Sequence, residues 1–244
     1  MKDFGYRIER TPRYAPIDAA AVGTGAYSAG LRTYISQVFA YVLAGLALCF
    51  GIAIFAPTCG WYAAFMQQSA MGLGVAWIVM SISFNFAFPY LSLLASICWF
   101  LLDVSILGLL LSPITMVYTS VSLITTFLVT TSMFLSIIIY GYATKKDLVG
   151  FVPLMIMGFV GVLLASIINM FMGSSTFSLM ISAVAIMVIA AYTAYTMQLI
   201  KGLYSEDDSG EVRGKKIIFG ASLVFHEFIN LFLHILRFIG RNRS

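Results

Sequence analysis

The run IIFGASLVFHEFINLFLHILRFI, residues 217–239, decides the architecture. A helix rises about 1.5 Å per residue, so a run of this length can cross about 30 Å of hydrocarbon. Most of its residues are apolar, yet Glu227, Asn230, His234 and Arg237 recur at steps of three, four and three. That spacing lays them along one helical face. Arg241 carries the row to the membrane edge, and His226 sits one position off it. Phe225, Phe228, Leu231, Phe232, Ile235 and Phe238 fill the other faces. A polar stripe on a membrane helix must meet other helices or water, not lipid. The segment is therefore expected to lie inside a bundle.

Six further apolar runs precede it. They cover residues 31–56, 70–88, 90–111, 114–142, 149–172 and 177–200, and end near Pro57, Pro89, Pro113, the polar stretch 144–147, Gly173 and the charged loop 201–216. Proline lacks the N–H a helix needs, and glycine tolerates turn conformations. Composition agrees: 61% of the 244 residues are hydrophobic and 10% charged. Soluble domains have about 45–50% apolar and about 25% charged residues. Disordered chains are poor in apolar residues, and membrane β-barrels alternate apolar and polar ones. The expected fold class is an all-α integral membrane protein with seven transmembrane helices. Residues 1–30 form a tail, 31–240 the transmembrane domain and 241–244 a short C-terminal tail.

Basic residues set the expected orientation. They lie in the N-terminal region through Arg32, at Lys145 and Lys146, and at Lys201, Arg213, Lys215 and Lys216. Seven crossings with a cytoplasmic N-terminus place all of these inside, as the positive-inside rule asks. Arg241 and Arg243 then fall outside, unless the last segment is re-entrant. Seven crossings are the favoured reading. The net charge of +4 is thus no nucleic-acid footprint. Cys49 and Cys98, within apolar runs, are expected to be core filler, and Cys59 has no evident partner.

Asp103 and Glu227 are the two carboxylates inside apolar runs, both near mid-span. A charge at that depth costs about 2.5–3.5 kcal/mol or more, so each needs a reason. Each could be a hydrogen-bonded structural acid or part of an ion path, and the stripe favours the path for Glu227. Thr115, Thr119, Ser122, Thr126 and Thr130 form a hydroxyl row that is expected to serve packing, as are Gly158 and Gly161. Enzyme signals are scarce. His226-Glu227 opens like the zinc-protease HExxH, but residue 230 is Asn where the second ligand should stand. The acidic run at residues 206–208 with Glu211 lacks the spacing of a Ca²⁺ loop. The chain is not expected to be an enzyme.

Four motifs resemble one family. Residues 140–148 (YGYATKKDL) are similar to YGYTTKRDL, 166–171 (SIINMF) to SLVNIF, and 193–201 (TAYTMQLIK) to TAYDTQKIK. Residues 225–233 (FHEFINLFL), then 236–240 (LRFIG), are similar to LYLDFINLFL followed by LLRLLG. In that order and spacing the chain resembles the Bax inhibitor family, the transmembrane Bax inhibitor motif proteins, over about residues 114–241. The resemblance implies a seven-helix bundle with the last helix central, wrapped by the other six. It also implies a Ca²⁺ leak gated by pH through two aspartates on the sixth and seventh helices. Here those positions hold Thr196 and Glu227. Thr196 cannot titrate, so the shared-proton pair of two acids is missing. Asp103 could supply a second carboxylate, or His226 could replace the lost titration.

The expected function is a membrane cation leak for Ca²⁺ or H⁺, gated by pH through the stripe on the last helix. The residues carrying it are Glu227, Thr196, Asp103, Asn230, His226, His234 and Arg237. Ca²⁺ enters as a permeant or weakly bound ion, with Glu227 as its ligand, and no firm cofactor is expected. The alternative is a non-conducting membrane protein that modulates a protease or channel partner. The lipid bilayer is the expected environment, a bacterial inner membrane the expected location.

Overall fold

The structure, a computed structural model, describes residues 29–240. Apart from Ala29 and Gly30, the expected N-terminal tail lies outside the described residues, as does the tail 241–244. Seven helices follow one another: α1 (Ala29–Phe55), α2 (Tyr62–Ala87), α3 (Leu93–Val117), α4 (Ser120–Ala143), α5 (Val152–Met172), α6 (Ser175–Leu203) and α7 (Gly210–Ile239). All seven are long and apolar enough to cross a membrane. The protein is an all-α membrane protein.

Local chemistry explains the helix starts. Ser92, Thr119, Ser174 and Ser209 stand just before α3, α4, α6 and α7, and each side chain accepts a hydrogen bond from a first-turn N–H at 3.3 Å. At the end of α5, Gly173 takes a left-handed conformation with φ 63°, which a side chain would resist. α7 starts at Gly210, well before the expected residue 217, because the charged stretch 210–216 continues the helix out of the apolar zone. For the same reason α2 begins at Tyr62, its polar Gln67, Gln68 and Ser69 being helical too.

Two expectations fail at Pro113. The third helix does not stop at Leu111 but runs through Pro113 to Val117. Proline removes one helical bond, here that to the Leu109 carbonyl, and is more frequent in membrane helices than in soluble ones. Around it the Ser112 hydroxyl donates to the Gly108 carbonyl, and the Thr115 hydroxyl donates to the Ser112 carbonyl at 2.8 Å with the Ala53 carbonyl of α1 at 3.2 Å. The hydroxyl row is consequently split. Thr115 belongs to α3 and Thr119 caps α4, while Ser122, Thr126 and Thr130 are buried along α4.

α7 is the centre of the bundle. It packs directly against α1, α3, α4 and α6, while α2 leans mainly on α3 and α5 on α6. Of its most apolar stretch 67% is buried, against 6% in α2 and in α5. Its phenylalanines reach one neighbour after another: Phe225 to Phe100 on α3, Phe228 to Phe127 and Phe134 on α4, Phe232 to Phe50 on α1. Close backbone approach needs glycine at two places. A Cβ on Gly108 would lie 2.8 Å from the Cys49 carbonyl oxygen, and one on Gly141 would lie 2.5 Å from that of Ala194. Gly158 similarly admits Val188 of α6, whereas a Cβ on Gly161 would meet nothing within 4 Å. Cys49 is buried as expected, but Cys98 is exposed on the outer face of α3, and all three cysteines are free thiols.

The two ends of the bundle differ in charge. Arg32, Lys145, Lys146, Lys201, Arg213, Lys215 and Lys216 fall at the end where α1 starts. Arg237 is the one Lys or Arg at the opposite end among the described residues. α7 is continuous from Gly210 to Ile239, so the last segment crosses and is not re-entrant.

Candidate functional site

The site is built on the middle of α7, where His226 and Glu227 point to different neighbours. Glu227 is buried against α6. The Thr196 hydroxyl donates to its Oε1 at 2.5 Å. Thr193 also lies beside the carboxyl, but its single hydroxyl proton goes to the Ile189 carbonyl at 2.9 Å. Oε2 is left buried without a hydrogen-bond donor. Thr196 and Glu227 therefore face each other at the positions where the resemblance puts two aspartates.

Asp103 does not join Glu227. Its Oδ1 accepts a hydrogen bond from Ser81 of α2 at 2.7 Å, and its Oδ2 lies 3.0 Å from His226 Nε2. The other ring nitrogen, Nδ1, sits 2.7 Å from the Ser222 carbonyl. A carbonyl can only accept, so Nδ1 carries a proton. The Trp77 ring lies over His226 with centroids 5.7 Å apart. Asp103 thus belongs to a cluster joining α2, α3 and α7, and the second acid that Thr196 lacks is not replaced by it.

The stripe also divides. Asn230 and Arg237 are exposed and His234 is half-buried, while Glu227 alone of the row is buried. Helix spacing put these residues on one face, but that face is not enclosed by the other helices. A cleft of about 240 Å³, walled by α2 on one side and by α5 and α6 on the other, takes in Glu227 and Asn230 of the stripe but not His234 or Arg237. Ser81, Asn85, Tyr192, Ser222, His226, Glu227 and Asn230 are its polar lining. Ser81, Asn85, Tyr192 and Ser222 were not among the residues expected from the sequence. Ser81 and Asn85 stand one helical turn apart in an apolar run, joined by a bond from Asn85 Nδ2 to the Ser81 carbonyl, and that spacing was the available signal. A larger groove, about 560 Å³, opens between α1, α3 and α7 at the basic end, with no carboxylate in its lining.

The quoted motifs at residues 140–148 and 193–201 prove to hold one another. Gln198 accepts from the Leu148 N–H at 3.1 Å and donates to the Lys146 carbonyl at 2.7 Å. Lys201 donates to the Tyr142 carbonyl at 2.7 Å, with its ammonium over the Tyr142 ring. In the next loop Lys216 pairs with Asp208 at 2.7 Å, so the acidic run is tied to α7. Among the described residues no group of three or more His, Cys, Asp or Glu could hold a metal.

Comparison with known proteins follows the same lines. The family model described as "Inhibitor of apoptosis-promoting Bax1" matches residues 31–244. The chain belongs to the Bax inhibitor family. It is 34% identical over 227 residues to the inner membrane protein YbhL of Escherichia coli (strain K12), covering 88% of this chain and 94% of that protein. It is 33% identical over 222 residues to an uncharacterized protein of Borreliella burgdorferi, covering 90% of both. A third relative, from Rickettsia prowazekii, is 31% identical over 220 residues. Family membership thus reaches back through the first three helices, which the sequence motifs alone did not cover.

Proposed function

We propose that this protein is a cation leak of a bacterial inner membrane, with the cleft along α7 as the ion path and Glu227 as its gate. The permeant is Ca²⁺ or H⁺. The observation that carries the reading is the state of the Glu227 carboxyl. It belongs to a residue on the cleft lining, lies mid-helix, holds one hydroxyl donor at Oε1, and keeps Oε2 buried without a hydrogen-bond partner. A buried polar atom without a partner is costly, so a proton or a cation at Oε2 relieves it. Protonation and cation binding compete for that oxygen, which couples the leak to pH. Ca²⁺ prefers six to eight oxygens, about the reach of several side chains, and here one carboxylate would have to serve with hydroxyl and amide oxygens.

The basic end of the bundle is assigned to the cytoplasm by the positive-inside rule, and the name of the Escherichia coli relative supports an inner membrane. A second reading draws on the sideways opening of the cleft, which exposes Asn230 at mid-span. On it the protein conducts nothing and seats a helix of a protease or channel partner. Purified protein in vesicles separates the two. Flux of Ca²⁺ or H⁺ above that of empty vesicles, changing with pH, supports the leak. Folded protein that passes neither ion under any gradient, yet captures one stoichiometric membrane partner, supports the second reading.

A further inference from the structure

Two ionisable groups line the cleft side by side on α7, and only Glu227 has been given a role. His226 is 23% exposed at its side chain, and Asp103 behind it is 3% exposed. Nδ1 is hydrogen-bonded to the Ser222 carbonyl, and Nε2 lies in ion-pair contact with Asp103 Oδ2 at 3.0 Å. A doubly protonated ring satisfies both. Ser81 donates to the other oxygen of Asp103, which suits a carboxylate, and Trp77 lies within cation–π range of the ring. The pair is close to neutral as a whole, but its positive end lines the cleft and its negative end is shut away.

We propose that His226, held as an imidazolium by Asp103, sets which cation the cleft takes, admitting the proton and turning Ca²⁺ away. This rests on the reading of the cleft as an ion path. Coulomb repulsion from a fixed positive charge is twice as large on a divalent ion as on a monovalent one. On the cleft lining the opposing attraction comes from Glu227 alone, because the Asp103 carboxylate lies behind the ring and Thr196 stands where a second acid would be. A proton needs no coordination shell, and the buried Glu227 Oε2 has no donor to compete with it. The groups facing the pair from other helices do not alter the balance: α2 brings Ser81 and Trp77, α1 brings the buried thiol of Cys49, and α6 brings Thr196 beside Glu227. Asp103 acts through His226 and is a positioning residue. His226 is the specificity-determining one.

The test is a pair of flux measurements on the same vesicles, one with an entrapped pH dye and one with an entrapped Ca²⁺ dye. The expected result is proton entry above empty vesicles and Ca²⁺ entry no faster than in them. His226→Gln removes the charge, and Asp103→Asn removes its anchor while keeping the shape. Each is expected to raise the ratio of Ca²⁺ to H⁺ entry by about tenfold or more, as loss of a nearby fixed charge implies. Either variant, if it folds, suffices. A parent that passes Ca²⁺ as readily as protons overturns the filter even if neither variant folds, and leaves the leak standing. An unchanged ratio in a folded variant also overturns the filter alone. A folded parent that passes neither ion overturns the leak and the filter together.

Discussion

The two mid-membrane carboxylates meet the same cost in opposite ways. Asp103 takes a hydrogen bond from Ser81 on one oxygen and has His226 Nε2 at 3.0 Å, an ion-pair contact, beside the other, so it links α2 and α3 to α7. Glu227 is buried as deeply but holds only the Thr196 hydroxyl, and its second oxygen has no donor. A buried pair broken at one partner is strongly destabilising, whereas an acid with one neutral donor has little to lose. The difference teaches that burial alone does not mark a functional acid. On the proposed reading, the acid whose second oxygen has no partner group beside it carries the chemistry, and the one paired with His226 holds the wall beside it.

The comparison breaks most easily at Asp103. Asp103→Ala strands His226 and frees Ser81, and is expected to cost about 3–5 kcal/mol, read as a large drop in the thermal midpoint in detergent. A drop no larger than that of Glu227→Gln would erase the contrast. Ser81→Ala removes a hydrogen bond to a charged group and is expected to cost about 1.5–3 kcal/mol in the same assay.

Thr196→Asp sharpens the other side. It sets a second carboxylate where the Thr196 hydroxyl now meets Glu227. Two adjacent carboxylates repel or share a proton, and Ca²⁺ can join them. Thermal stabilisation by Ca²⁺ is expected at pH 8, about 1.4 kcal/mol for each tenfold excess over the dissociation constant, and weaker at pH 5 where protons compete. The parent, with one acid, is expected to show none. Equal responses in both proteins would mean that the ion binds elsewhere. Glu227→Gln is the mildest change, because the amide still accepts from Thr196. Its expected cost is about 1 kcal/mol, one ordinary hydrogen bond.

Much of the fold was legible because hydrophobic runs mark membrane helices directly. The starts of α2 and α7 were not, since Gln67, Gln68 and the charged residues 211–216 are helical without being apolar. Pro113 misled because the helix continues through it to Val117, one lost backbone bond being tolerated inside a long membrane helix. In the site, spacing placed Glu227, Asn230, His234 and Arg237 on one face, and the resemblance set Thr196 opposite Glu227. Helix periodicity cannot say which face borders a gap, so the exposure of Asn230 and Arg237 was hidden. The pairing of Asp103 with His226 was hidden too, because it depends on how α3 packs on α7 and leaves no local signal.

The central claim is that Glu227 takes and gives up the proton on which the path depends. The most direct measurement is the initial rate of proton entry into vesicles carrying the parent or Glu227→Gln, across a pH series and at matched amounts of folded protein. The amide keeps the Thr196 contact but cannot titrate. The parent rate is expected to change with pH, and the variant rate to fall to that of empty vesicles at every pH. A variant that conducts like the parent, with the same pH profile, would show Glu227 to be a structural acid and contradict the claim.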